Sequence, residues 1–225
     1  MHLPVVTKRT VRIPLLAAIC LSVTAAFAEP GFTNAVSAEL IRIYAAKFGP
    51  GTRERLVDWK AFPKSQSDKQ AAERERLVAV NAYLNRIRFV SDAEHWGVED
   101  YWATPAESVA SNGGDCEDFA IAKYFLLKEL GVPQAKLRIV YVKAIKLNQA
   151  HMVLAYYSTP SAEPLILDNL EGTVRPASQR TDLVPVYSFN DEEVWIESRG
   201  RAGSPRQIRN WTSLLDRLDR EARTL

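Results

Sequence analysis

Apolar positions early in the chain recur at helical spacing. Ile41, Tyr44, Ala45 and Phe48 fall on one face of a 3.6-residue repeat, and Gly49-Pro50-Gly51 stops it. A second, shorter helix is expected from Thr52 to about Phe62, followed by a polar break over 63–68. A longer helix then places Leu77, Val80, Leu84 and Ile87 on one side. Thr104-Pro105-Ala106-Glu107 combines a capping hydroxyl, a proline at the first helical position and a glutamate three residues past the cap. It predicts a short helix ending by Asn112-Gly113-Gly114. The next helix starts around Asp115-Cys116-Glu117-Asp118, runs through Ile121, Tyr124, Leu126 and Leu130, and ends at Gly131 and Pro133.

The period then changes to two. Residues 137–142, 151–157 and 164–167 read as strands, with turn residues over 158–162. Ser204-Pro205-Arg206-Gln207 predicts another cap, opening a last amphipathic helix with Ile208, Trp211, Leu215 and Leu218 that packs on the core. The pattern gives an α+β protein with a helical N-terminal part over about 29–90. No repeat or linker divides it, so 29–225 is taken as one domain.

Length and composition fit that picture. The chain has 225 residues, 47% of them hydrophobic, enough for one real core. Residues 1–28 look like a secretory signal peptide. Lys8, Arg9 and Arg12 form a basic start, 13–27 is apolar apart from Ser22 and Thr24, and Ala26-Phe27-Ala28 offers a cleavage site. The apolar run is short for a retained membrane anchor, so a stable anchor after cleavage is not expected. Setting aside those three of the 29 basic residues leaves 26 against 27 acidic ones, a net charge of −1. That balance gives no electrostatic reason to expect nucleic acid.

The same cleavage simplifies the chemistry. Cys20 and His2 leave with the signal, so Cys116, His95 and His151 remain. One exported thiol has no intrachain disulfide partner, and a Cys/His zinc site would need every one of these residues. Cys116 lies in the first turn of its helix, where unpaired N–H groups favour a thiolate. Gly113 and Gly114 are expected to leave room for a substrate backbone. A thiolate needs a base and the base an orienter. If 151–157 and 162–168 form a hairpin centred between Thr159 and Pro160, His151 faces Asp168 directly, with Cβ atoms about 4.5–5.5 Å apart. His95, in the aromatic stretch Glu94-His95-Trp96-Gly97, reads as structural. Asp115, Glu117 and Asp118 oppose ionisation of the thiol by like charge. Two readings of them stay open: a solvated acidic helix start, or a hard cation such as Ca²⁺.

Several motifs together carry a family resemblance. These are 113–120 (Gly-Gly-Asp-Cys-Glu-Asp-Phe-Ala), Ala150-His151-Met152-Val153-Leu154 and Leu167-Asp168-Asn169-Leu170, with supporting matches at 101–105, 176–178 and 185–190. They resemble the bacterial transglutaminase-like cysteine proteases, within them the LapG-type periplasmic enzymes. The resemblance implies a papain-like, transglutaminase-type fold, with the nucleophile helix packed on an antiparallel sheet. It implies Cys116 as nucleophile, His151 as base and acid, and Asp168 as orienter. It implies Ca²⁺ beside the nucleophile at Asp115 and Glu117, with Asp118 as a further ligand. The implied substrate is a large biofilm adhesin held at the outer membrane and cut near its N-terminus. The implied partner is the periplasmic domain of an inner-membrane receptor that senses cyclic di-GMP. Trp102 is expected in the cleft or at the oxyanion site. The same triad would also serve transglutaminase-type acyl transfer to an amine, and a vestigial site would leave a non-catalytic calcium-binding module.

Overall fold

The computed structural model describes residues 33, 36–67 and 72–224; residues 1–28, expected to be a signal peptide, lie outside them. Helix α1 (Ala38–Phe48) opens on Ser37, whose hydroxyl accepts the Leu40 N–H at 2.9 Å, and closes on Gly49 at φ +78°. Helix α2 (Thr52–Ser67) outruns its expected end and continues through Pro63. Proline costs this helix one backbone bond. Packing offsets it: Phe62 stacks on Tyr83 at 4.2 Å, and Gln66 is buried one turn further on. Helix α3 (Glu73–Leu84) ends before Ile87, whose N–H bonds to the Leu84 carbonyl outside the helix.

A short strand β1 (Arg88–Phe89) and a single helical turn α4 (Asp92–His95) follow. Helix α5 (Pro105–Ser111) has the expected capping box at Thr104 and Glu107, and Asn112 leaves it at φ +55°. Strand β2 (Gly113–Gly114) pairs in parallel with β1 and delivers the chain to α6 (Cys116–Glu129).

The remaining strands are β3 (Leu137–Ala144), β4 (Gln149–Tyr156), β5 (Leu165–Leu167), β6 (Arg175–Pro176), β7 (Leu183–Phe189), β8 (Val194–Ile196) and β9 (Gly200–Gly203). They form one antiparallel sheet in the order β6-β5-β4-β3-β7-β8-β9. The last helix, α7 (Arg209–Ala222), starts later than expected, because Ser204 caps a 3₁₀ turn over Pro205–Gln207 instead. Its buried face is Trp211, Leu214 and Glu221, whereas Leu215 is exposed.

One apolar core runs from Val36 to Leu214 and includes residues of α1, α2, α3, α5, α6, α7 and the sheet. Tyr124, Leu126 and Leu127 of α6 are fully buried in it with Ile139 and Leu154. The helical N-terminal part therefore shares the sheet's core. The molecule is α+β, with α6 packed on the antiparallel sheet. Among the described residues no helix is long and apolar enough to cross a membrane.

Candidate active site

Cys116 is the first residue of α6, half-buried and free of any disulfide. The paired glycines before it have a different role from the expected one. A Cβ on Gly113 would lie 2.5 Å from His95 Cε1, and one on Gly114 would lie 2.6 Å from Asp118 Oδ2. Both glycines are buried. They make room for protein side chains beneath the helix start, not for a substrate. His95 meets its structural expectation, with Nε2 2.8 Å from Ser111 Oγ.

His151 sits near the start of β4 and is almost fully buried. Its Nε2 is 2.8 Å from Asp168 Oδ1. The same oxygen accepts the Leu170 N–H at 3.0 Å, Oδ2 accepts Arg180 Nη2 at 2.8 Å, and the Asp168 carbonyl accepts Asn85 Nδ2 at 2.8 Å. Burial pushes the Asp168 carboxyl up. The bonds from His151, Leu170 and Arg180 outweigh burial and hold it at about 2.

The hairpin behind this pair differs from the expected register. Leu154 faces Leu167 and Tyr156 faces Leu165, so the turn centre lies one residue later, between Pro160 and Ser161. The ladder ends at Leu167, and His151 reaches Asp168 diagonally. A shift of two positions leaves both side chains on one face, which is why the pair survives it.

The thiol environment is acidic, as expected, and only partly exposed: Asp115, Cys116 and Glu117 are half-buried and Asp118 is buried. Cys116 Sγ donates to Glu117 Oε2 at 3.1 Å. Burial, then the Glu117 and Asp115 charges, push the thiol up, while a backbone hydrogen bond from Met152 works the other way. Asp118 is fully buried and accepts the Ala103 N–H at 2.7 Å. Burial and neighbouring carboxylates raise it well above the usual range, and they bring Asp115 to about 8.

Two more carboxylates join this cluster, which the sequence reading did not include. Asp92, Asp100 and Glu117 offer oxygens within 4.8 Å of one another, and so do Asp92, Asp115 and Asp118. Asp92 is buried, and mainly its burial raises it to about 6. Asp92 Oδ1, Asp115 Oδ1 and Asp118 Oδ2 are buried without a hydrogen-bond partner among the described residues. Convergent, unpartnered carboxylate oxygens are the donor set that a hard divalent cation requires, so these residues fit Ca²⁺. The one available signal was the acidic pair Glu99-Asp100 just ahead of Tyr101-Trp102.

Cys116, His151 and Met152 line a cleft of about 530 Å³ together with Trp102, Tyr141 and Tyr187. Trp102 stacks on Phe189 at 5.8 Å, and Tyr141 stacks on Tyr187 at 5.1 Å. Ile208, Arg209 and Asn210 close one side of the cleft. With Nε2 held by Asp168, Nδ1 is the ring nitrogen available to exchange a proton. A thiol, an oriented imidazole and a carboxylate can together perform nucleophilic acyl transfer.

Comparison with known proteins agrees. The family described as bacterial transglutaminase-like cysteine proteinase matches residues 58–201. The chain is 42% identical to Legionella pneumophila LapG, covering 81% of this chain and 96% of that one, with a TM-score of 0.70. A calcium-bound structure of that LapG gives a TM-score of 0.69 and an EGTA-treated one 0.71, each at 42% identity over 81% of this chain, covering 99% and 98% of theirs. No curated protein matches the chain.

Proposed function

The chain belongs to the bacterial transglutaminase-like cysteine proteinases, and we propose that it is a calcium-dependent periplasmic endopeptidase. Its substrate on this reading is the N-terminal region of a large adhesin held at the outer membrane. Its regulator is an inner-membrane receptor that senses cyclic di-GMP and sequesters the enzyme through a periplasmic domain. The observation that carries the enzymatic part is the His151–Asp168 bond of 2.8 Å, set in one cleft with the free Cys116. The substrate and receptor are what the motif resemblance around Cys116, His151 and Asp168 implies, and the secretory pattern of residues 1–28 supports the compartment.

In this mechanism the Cys116 sulfur attacks the scissile carbonyl carbon as His151 takes the thiol proton. Asp168 keeps the imidazole oriented and stabilises its charged form. His151 then gives the proton to the leaving amine, which departs and leaves a thioester on Cys116. Water, deprotonated by His151, cleaves that thioester and frees the thiol. Asp115, Glu117 and Asp118, joined by Asp92 and Asp100, would hold Ca²⁺. The ion supplies positive charge that offsets the carboxylates crowding the thiol. Calcium enters here because a calcium-bound LapG is known and because this chain's own carboxylates fit the ion.

The test is incubation of the protein with the N-terminal fragment of a candidate adhesin, with Ca²⁺ or with EGTA. Cleavage is expected only with Ca²⁺. Cys116→Ala is expected to lose at least about a thousandfold in rate. Full cleavage by Cys116→Ala would sink the reading. Incorporation of an added amine without cleavage would turn it into acyl transfer.

A further inference from the structure

The face of the sheet turned away from α6 carries a second apolar surface that the mechanism above does not use. Side chains alternate across the sheet along β3, β4 and β5. Ile139, Leu154 and Leu167 enter the main core, and Val140, Val153 and Ile166 point the other way. With Val142 and Ala155 they form a separate apolar cluster. They also floor a groove of about 380 Å³, with Tyr157 and Trp195 among its walls. That volume is within the range of small-ligand pockets, about 300–1,000 Å³.

Two guanidinium groups line this groove, those of Arg138 and Arg180. The Arg138 guanidinium carbon lies 3.9 Å from the centre of the Trp195 ring and 4.6 Å from that of Tyr157. Its Nε is buried without a hydrogen-bond partner among the described residues. Arg180 is only 7% exposed. It donates Nε and Nη2 to Asp182 at 3.0 and 2.9 Å, and Nη2 to Asp168 at 2.8 Å. Its Nη1 is buried and has no partner among the described residues. Buried donors are nearly always paired, so orphans on both arginines of one groove point to an acceptor from outside the chain. Glu197, the one carboxylate on the lining, is exposed, and among the described residues it forms no ion pair with Arg138 or Arg180.

We propose that this groove binds an amphiphile, an alkyl chain ending in a carboxylate, with the chain on the valine floor and the carboxylate against Arg138 and Arg180. Charge selects the head group, because a planar guanidinium matches a carboxylate. The backbone selects the tail. Strands β3, β4, β5 and β7 each have a hydrogen-bonded neighbour on both sides, so the sheet itself takes up their N–H and C=O groups. A peptide laid across this floor would bury amides that have nothing to bond. An alkyl chain brings no such groups and gains by leaving water. The proposal stands whether or not Cys116 acts as a protease nucleophile.

The test titrates octanoate into the Ca²⁺-saturated protein by calorimetry. Octan-1-ol serves as the neutral probe of equal chain, and acetate as the head group alone. Octanoate is expected to bind one to one and at least about tenfold more tightly than octan-1-ol, the worth of a hydrogen bond to a charged group. Acetate is expected to give no saturable binding. Arg138→Met keeps an unbranched side chain over Trp195 and removes the charge, so it should erase most of the preference for octanoate. Equal affinities for octanoate and octan-1-ol, or for octanoate and acetate, overturn the proposal. So does an unchanged preference in folded Arg138→Met, or the absence of saturable octanoate binding. If Arg138→Met fails to fold, NMR of the unaltered protein decides. Octanoate should shift the Trp195 indole N–H and the methyls of Val140, Val153 and Ile166. Shifts at Trp102 with none at Trp195 put the ligand in the Cys116 cleft instead and overturn the proposal.

Discussion

Asp92 shows how much one side chain outside the motif can matter. It lies 24 positions before Cys116 in the sequence and is buried beside the carboxylates at the start of α6. One of its oxygens accepts the Tyr101 N–H and the other has no partner among the described residues. Asparagine can still accept the Tyr101 bond but cannot bring the charge. Asp92→Asn should therefore fold, and it should bind Ca²⁺ at least about tenfold more weakly, the loss expected from a key ligand contact. Glu94→Gln, an exposed change on the same short helix, should leave affinity unchanged. Isothermal titration of both variants checks this; equal affinities would remove Asp92 from the ligand set. Cys116, Asp115, Glu117 and Asp118 were legible because they are consecutive and next to a helix cap. Asp92 and Asp100 were not, because only the path of the chain between α4 and α5 brings them close.

At the scale of elements, the start of α6 is fixed from below by two glycines. Gly114 is the more restrictive, because its Cβ would lie 2.8 Å from Asp118 Cβ, an atom tied to the helix backbone. Gly114→Ala must displace α6 or turn Asp118 away from the Ala103 N–H. It should cost about 1–3 kcal/mol, as overpacking generally does, and weaken Ca²⁺ binding at the same time. Gly172→Ala meets nothing within 4 Å and serves as the control. Urea unfolding of the two variants separates them; a Gly114→Ala protein as stable as the parent would contradict this account. The β4–β5 hairpin shows where element-level reading stops. Alternation fixed which face His151 and Asp168 share. The exact pairing depends on the turn over 157–164, whose Ala162 N–H bonds to the Thr159 carbonyl, and strand patterning carries no information about that geometry. The extension of α2 past Pro63 has the same cause, since Tyr83 of α3 supplies the packing.

Across the whole molecule, α7 joins the last residues to the first helix and to the cleft. Asn210 Nδ2 donates to Asp100 Oδ2 at 2.7 Å, Arg217 donates to the Trp102 carbonyl, and Glu221 accepts from Tyr44 and Thr104. Glu221 thus links α7, α1 and the cap of α5. Burial raises its carboxyl to about 7, with Glu107 adding to the rise and Thr104, Tyr44 and Arg217 opposing it. Below about pH 4.5 this carboxyl is protonated in the folded and the unfolded chain alike. Between 4.5 and 7 the unfolded chain has released the proton and the folded chain keeps it, so stability falls as pH rises. Above 7 both have released it and the loss is complete, at about 3–4 kcal/mol. Glu221→Gln keeps an oxygen for both hydroxyls and removes the titration. Urea midpoints at pH 5 and pH 8, with Ca²⁺ saturating so that the acidic cluster stays constant, should show a steeper decline for the parent than for Glu221→Gln. Parallel declines would place the pH sensitivity elsewhere. The steeper decline would mean that the contacts tying α7 to α1 and α5 weaken as the surroundings turn alkaline, and with them the wall of the cleft formed by Ile208, Arg209 and Asn210.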